Sequence, residues 1–350
     1  MKRRKKVNAE KVLFCLVLLI LVGVIVYIWL NNNKPQEEIV EEQTASTKPN
    51  LEDKEAPEIT LNGNSNIVIA LGNSYTDSGA KAIDNIDGDI SSKIEIQGEV
   101  DTKTEGEYTV KYVVTDSSQN LAQVERTVIV RKPLQNGLPV LMYHFFYDAN
   151  EREGQDNNWL EISKFEEQMK YLQEENFYFP TWQEVEAYID GKIDLPSKSV
   201  VLTVDDGDPS FFKLAVPILQ KYNATATSFV ITSWYGYVAN DKQANVYYES
   251  HSDCMHEAGT NGKGVMLSWS QEKIENDLET SSKTLGGATI FCYPLGQYNQ
   301  TGINALKNTG YKLAFTTKGG RVYEGASKYE LPRVRISKTT TLREFKNMVN

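Results

Sequence analysis

Val200-Val201-Leu202-Thr203-Val204-Asp205-Asp206-Gly207 is an apolar strand that ends in two adjacent carboxylates and a glycine. Outward from it the same strand-like texture returns at residues 139–143, 224–231, 246–250, 289–293, 313–317 and 333–336, with helical segments between. One helix is predicted at residues 163–175, where Ser163 with Glu166 forms a capping box and Phe165, Met169 and Leu172 mark one face. Ser268 with Gln271 is expected to cap another ahead of Ile274, Leu278 and Leu285. Alternating βα units over about 210 residues predict an α/β domain with a parallel sheet, open or closed into a barrel.

The reactive side chains fall at the carboxyl ends of these strands. His144 follows the first, Asp205 and Asp206 the second, His251 and His256 the fourth, and Pro294-Leu295-Gly296 the fifth. In a parallel barrel those ends converge on one face, where active sites are built. All three histidines of the chain fall there. Asp-Asp-Gly alone reads as a surface turn and a lone His-x4-His pair as partly buried histidines. The combination reads differently. Adjacent carboxylates at a buried strand end repel, so a cation should compensate them. A divalent metal held by two imidazoles and one carboxylate does so, and leaves the other carboxylate free as a general base.

Three segments, in order, resemble the motifs of the polysaccharide deacetylases of carbohydrate esterase family 4. They are Thr203-Val204-Asp205-Asp206-Gly207, His251-Ser252-Asp253-Cys254-Met255-His256 and Phe291-Cys292-Tyr293-Pro294-Leu295-Gly296. Pro139-Val140-Leu141-Met142-Tyr143-His144 and Leu195-Pro196 ahead of the second strand are similar to the poly-N-acetylglucosamine deacetylase branch. The resemblance covers residues 138–350 and implies a distorted (β/α)7 barrel that removes acetyl groups from N-acetylated sugars. It implies Asp205 as catalytic base and Asp206, His251 and His256 as ligands of a divalent metal, commonly Zn2+, with Co2+, Ni2+ or Mn2+ as substitutes. The backbone N–H of Leu295 would join the metal in stabilising the oxyanion. Two departures stand out. The arginine that usually orients the base is replaced by Cys292, and the histidine that often serves as general acid near the C-terminal strands is missing, since no histidine follows His256. For the acid the candidates are His144 or Asp205 returning the proton it took; Arg333 and Arg335, with Tyr293, are candidates for support of the base, the two arginines reading equally well as partners in surface salt bridges. Cys254 and Cys292 are either a disulfide between two loops or a pair of thiols, and Trp269 and Tyr298 either sugar platforms or core residues.

The chain has 350 residues, with 37 Lys plus Arg against 47 Asp plus Glu, a net charge of −10 and three cysteines. This excludes a broad nucleic-acid footprint and a Cys-rich zinc module. Residues 2–6 are all basic, and residues 12–30 then run without a charge. At ~1.5 Å per helical residue that run spans about 28 Å, a bilayer core. It ends in Tyr27, Trp29 and three asparagines rather than a small-residue cleavage site. Residues 1–33 are therefore expected to form an uncleaved, single-pass transmembrane helix with the rest of the chain outside the cytoplasm, and the polar stretch 34–55 a flexible linker.

Residues 56–132 change to short β-runs broken by turn signals. Tyr108, Val110, Tyr112 and Val114, then Ala122, Val124, Val128 and Val130, predict a hairpin with one buried face, and the whole segment an all-β sandwich. It resembles the Ig-like modules of bacterial surface proteins. Asp84, Asn85, Asp87 and Asp89 are open to two readings, a calcium site or a solvated acidic turn. The expected protein is a membrane-anchored, metal-dependent deacetylase of N-acetylglucosamine units in a cell-surface polysaccharide (peptidoglycan, exopolysaccharide or wall glycopolymer), of undetermined oligomeric state. The alternative is a catalytically silent sugar-binding or adhesion protein.

Overall fold

The computed structural model describes residues 53–259 and 262–350. The expected anchor, Cys15 within it and the expected linker up to residue 52 lie outside the described residues. Among those described, no helix is long and apolar enough to cross a membrane.

The first unit is a two-sheet sandwich. Strands β1 (Glu58–Leu61), β3 (Ala80–Asp84) and β4 (Gly88–Asp89) make one sheet. Strands β2 (Asn66–Ala70), β7 (Leu121–Arg131), β6 (Gly106–Thr115) and β5 (Glu95–Gln97), in that spatial order, make the other. The β6–β7 hairpin pairs Tyr108 with Val128 and Tyr112 with Val124, so the alternating apolar residues point to one face. Val110, Tyr112 and Val128 are buried there against Ile59 and Leu61 of the opposite sheet. Arg126 is fully buried in this apolar layer, and its guanidinium donates to the carbonyls of Asn62, Asn64 and Gly79, to the Tyr112 hydroxyl and to Asp77. The acidic turn is largely occupied by its neighbours. Asp87 accepts from the backbone and hydroxyl of Ser117, and Asp89 from those of Ser91.

The second unit is a closed, seven-stranded parallel barrel. Its strands are β8 (Val140–Tyr143), β11 (Val201–Val204), β12 (Ala226–Val230), β13 (Val246–Ser250), β14 (Ile290–Cys292), β15 (Leu313–Gly319) and β16 (Leu331–Arg335), which returns to β8. A short parallel pair, β9 (Phe145–Tyr147) and β10 (Trp159–Glu161), follows β8. The barrel is distorted at two seams. β13 and β14 pair at one register position, Ser250 with Phe291, and the β15–β16 register slips between Phe315 and Gly319. Alternate strand residues, among them Val140, Val201, Phe229, Cys292, Phe315 and Leu331, fill the interior.

Two helix starts differ from the sequence reading. The first helix spans Ile162–Glu174 with Glu161 at its N-cap and no side-chain cap, because β10 runs straight into it and leaves Ser163 inside the first turn. The helix Gln271–Thr284 is capped by Ser270, whose hydroxyl accepts from Lys273, while Ser268 bonds back to Val265 in the preceding turn. Thr181 and Thr341 form the complete capping boxes instead, with Glu184 and Glu344.

The sandwich docks at the amino ends of the barrel strands. Pro133 bridges to Pro196, Asn73 donates to the Asp194 carbonyl and Arg131 to that of Asn176. A cleft of about 760 Å³ between the units is lined by Asn66 and Thr127 on one side and Asn223 and Asn245 on the other. The carboxyl ends of the strands therefore face away from the sandwich.

Candidate active site

β11 delivers Asp205 and Asp206 through a turn whose backbone only certain residues tolerate. Asp206 and Gly207 both lie in the left-handed region, at φ 76° and 81°. A Cβ on Gly207 would sit 3.2 Å from the Val230 backbone, so glycine is required there. The turn points the two carboxylates in different directions.

Asp206 meets the two histidines. Its Oδ1 is 3.4 Å from His251 Nε2 and 3.5 Å from His256 Nε2. One donor atom from each of the three residues lies within 4.8 Å of the others, a set one ion can span. His251 is fixed from behind: its Nδ1 is 2.8 Å from the Cys292 carbonyl oxygen, a contact that needs an N–H and so directs Nε2 at Asp206. His256 is more exposed and packs edge-on against Trp234, ring centroids 5.5 Å apart. The loop carrying both histidines is tied down by Asp277 of the helix Gln271–Thr284, whose two oxygens accept from the amides of Asp253 and Cys254. Burial pushes the Asp277 carboxyl up to about 6, although those two amides work in the opposite direction.

Asp205 faces the barrel interior, 2% exposed, and is clasped by Arg333 of β16. Both guanidinium–carboxylate contacts are 2.7 Å, a bidentate pair. Arg333 also donates to Thr203 Oγ1, to the Thr316 carbonyl and to Cys292 Sγ. Burial alone would raise the Asp205 carboxyl, but the charge and hydrogen bonds of Arg333 overcome it and hold it far below the ordinary carboxylate range. Burial drives the Cys292 thiol upward, so it stays protonated beside Arg333.

His144 reaches the same interior, with Nε2 3.9 Å from Asp205 Oδ2 and a buried Nδ1 that has no partner. Burial is the largest influence on it and draws it below its ordinary value, against the pull of Asp205 and Asp206. Leu295 sits at φ 57° in the turn after β14, on the same end of the barrel, 45% exposed.

The structure thus brings Asp205, Asp206, His144, His251 and His256 together and sets Leu295 on the turn beside them. Arg333 is at the base. Arg335 bonds Asn158 at the rim, and the Tyr293 hydroxyl donates to the Tyr329 carbonyl within the core, so neither supports Asp205. Cys254 and Cys292 are free thiols, one exposed and one buried. Trp269 and Tyr298 pack against the core cluster of Met255, Phe291 and Tyr293. Sequence reasoning misses Asp277 and Trp234. For Asp277 a signal exists, since a carboxylate four residues before Ser281 and beside Leu278 lies on the helix's buried face.

Residues 192–314 match the polysaccharide deacetylase family and residues 59–130 the Ig-like domain of bacterial surface proteins. A poly-β-1,6-N-acetyl-D-glucosamine N-deacetylase of Staphylococcus aureus (strain MRSA252) is 28% identical over 213 residues, 55% of this chain and 73% of the relative. Among solved structures, a deacetylase from Streptococcus pyogenes, in complex with acetate, superposes with a TM-score of 0.54 at 24% identity, covering 63% of this chain and all of that one. IcaB from Ammonifex degensii superposes at 0.52 and 24%, over 62% and 97% of the two chains.

Proposed function

We propose, from the premise that this chain carries a polysaccharide deacetylase domain of carbohydrate esterase family 4 behind a bacterial Ig-like domain, that the barrel is a metal-dependent amidase acting on N-acetylglucosamine units of a cell-surface polymer. The observation that carries the reading is a three-donor cluster, Asp206, His251 and His256, beside a separate carboxylate that is not part of it. Two imidazoles and a carboxylate suit zinc, with Co2+, Ni2+ or Mn2+ as substitutes, and a cation held there supplies Lewis-acid polarisation of the acetamide and of water.

The chain's own groups do the rest. Asp205, kept anionic by Arg333 throughout the working pH range, takes a proton from the attacking water. The negative charge that develops on the acetyl carbonyl oxygen is met by the Leu295 N–H, a type of donor worth about 10²- to 10³-fold in rate. The amine departs only when protonated, and His144 passes it the proton. Being neutral by burial, His144 must first receive one, and Asp205 is the nearest source at 3.9 Å. Water adds, the C–N bond breaks, and acetate and a free amine leave.

The S. aureus relative's substrate supports a β-1,6-linked N-acetylglucosamine exopolysaccharide as the polymer. Residues 1–33 are taken as the anchor that holds the enzyme outside the cytoplasm, on the strength of the basic tip and the charge-free run behind it. The test is acetate release by the full chain from β-1,6-linked N-acetylglucosamine oligomers, with peptidoglycan fragments as the comparison. Asp205→Asn should lower release by about 10²- to 10⁴-fold, the usual contribution of a general base, while bound zinc, measured by elemental analysis, stays at the wild-type level. Release that survives Asp205→Asn, or survives complete removal of metal by a chelator, overturns the mechanism.

A further inference from the structure

Three carboxylates from three separate stretches of the sandwich meet at one end of it. Asp53 lies ahead of β1, Asp84 closes β3 and Asp116 follows β6, and one oxygen from each lies within 4.8 Å of the others. Asp84 and Asp116 are 4% and 3% exposed, so water does little to screen them from one another. A cluster of acids alone would say nothing, but the partners of Asp84 say more. Its Oδ1 accepts from the amides of Ile86 and Asp87, at 2.9 and 2.7 Å, which fixes the carboxylate in place. Its Oδ2 is buried and accepts from nothing. A buried carboxylate oxygen with no donor, on a residue that meets two further carboxylates, is an open ligand position for a cation.

The geometry points to a calcium site formed by Asp53, Asp84 and Asp116. All three donors are hard oxygens, with no imidazole or thiolate that would select zinc. Calcium takes six to eight oxygens at about 2.3–2.6 Å in a flexible arrangement, so three carboxylate oxygens within 4.8 Å of one another can share one ion. Magnesium is usually held by one or two carboxylates with several retained waters, whereas three carboxylates converge here, two of them buried. Asp116 is already held in place as a ligand. The amides of Ser118 and Asn120 donate to its Oδ1, and the Asn120 side chain donates to its Oδ2 while also reaching the Asp53 carbonyl. From the acidic turn noticed in the sequence only Asp84 takes part, because Asp87 and Asp89 are engaged by Ser117 and Ser91.

The position gives the site a role. The β6–β7 turn is at the end of the sandwich opposite Arg131, where β7 hands over to the barrel. An ion there ties the segment at Asp53, just before the first strand, to two turns of the sandwich, and so stiffens the point where the preceding chain joins the folded body.

The experiment is calorimetric titration of CaCl2 into the full chain with its barrel site kept saturated with zinc, alongside thermal unfolding with and without calcium. One calcium per chain should bind with a dissociation constant of about 10⁻⁴ to 10⁻³ M, the range of extracellular calcium modules, and raise the unfolding temperature. Asp84→Asn keeps the Oδ1 acceptor that orders the turn, and Asp53→Asn alters a residue outside the strands, so both should fold. Each should weaken calcium binding at least about tenfold by removing one charged ligand, with zinc content unchanged. Absence of a binding isotherm up to about 10 mM calcium, ten times the weakest module of this kind, or equal affinity in the two variants and the wild type, overturns the site. The titration reads calcium directly, so its outcome stands apart from the deacetylase assignment.

Discussion

At the scale of single residues, the centre of the site is an ion pair that sequence reading locates in kind but not in detail. Arg333 and Arg335 are two apart on one strand, so alternation puts both on the same face of β16. They differ in depth. Arg333 lies at the level of Asp205, while Arg335 is at the rim and turns to Asn158. Alternation makes the face legible from sequence; depth depends on the stagger between β16 and β8, which no local pattern encodes. Replacing Arg333 by Gln leaves Asp205 buried without its countercharge, a change that costs about 3–5 kcal/mol when one partner of a buried pair is lost. The pH behaviour should change as well. In the native chain the Asp205 pKa is depressed, so the stability it confers is complete above the unfolded carboxylate value and is lost only in strong acid. With Arg333 gone, burial prevails and the pKa rises; stability then falls as pH rises, and acetate release gains an acid limb within the working range. A pH–rate profile of Arg333→Gln with the same shape as the wild type's would show that Arg333 does not set the state of Asp205.

At the scale of elements, the barrel strands all begin and end within two residues of the stretches expected, and β13 matches end to end. Apolar runs bounded by turn residues mark buried strands well. Helix starts are less legible, because a cap is chosen by where the preceding backbone stops, and a strand that runs on into a helix removes the need for one. The seam between β13 and β14 is the least regular part of the barrel. Glu249 repairs it, its Oε2 accepting from the amides of Thr289 and Ile290 at 2.9 and 2.8 Å, where a neighbouring strand would otherwise offer carbonyls. Burial pushes the Glu249 carboxyl up to about 7, against the two amides. A carboxyl raised on folding stabilises most when protonated, so its contribution is full below the unfolded value near 4.5 and is lost as pH climbs to about 7. Glu249→Gln keeps an acceptor oxygen and removes the charge. Its melting temperature relative to wild type should therefore rise between pH 5 and pH 8, by a few degrees, since about 1 kcal/mol moves a domain of this size by about 2–4 °C. A difference in melting temperature that does not change with pH would remove Glu249 as the source.

At the scale of the whole molecule, the succession of sandwich and barrel is legible in the sequence and their arrangement is not. Composition separates a basic apolar tip, a polar stretch, a β-rich segment and a βα-rich one. How the last two dock rests on a few contacts between residues far apart in sequence, such as Asn73 with Asp194 and Arg131 with Asn176, and these follow no period. The arrangement matters for reach. The chain joins the sandwich at one end, β7 carries it over 11 residues or about 36 Å to the other, and the barrel's reactive face points beyond that again. Within residues 53–350 the sandwich thus separates the point where the chain enters the folded body from the reactive end of the barrel. If residues 1–33 fix the chain to a bilayer, tethering raises the effective concentration of enzyme at a surface polymer without altering the site itself. Removing residues 1–33 should then move the protein from the membrane fraction to the soluble one. kcat/KM on short soluble oligomers should stay within about twofold, while acetate release from polymer attached to cells falls by about tenfold or more, the lower end of what tethering contributes. Truncated protein that still sediments with membranes would refute the anchor. Equal loss on soluble and attached substrates would instead mean that the segment supports the catalytic unit rather than its location.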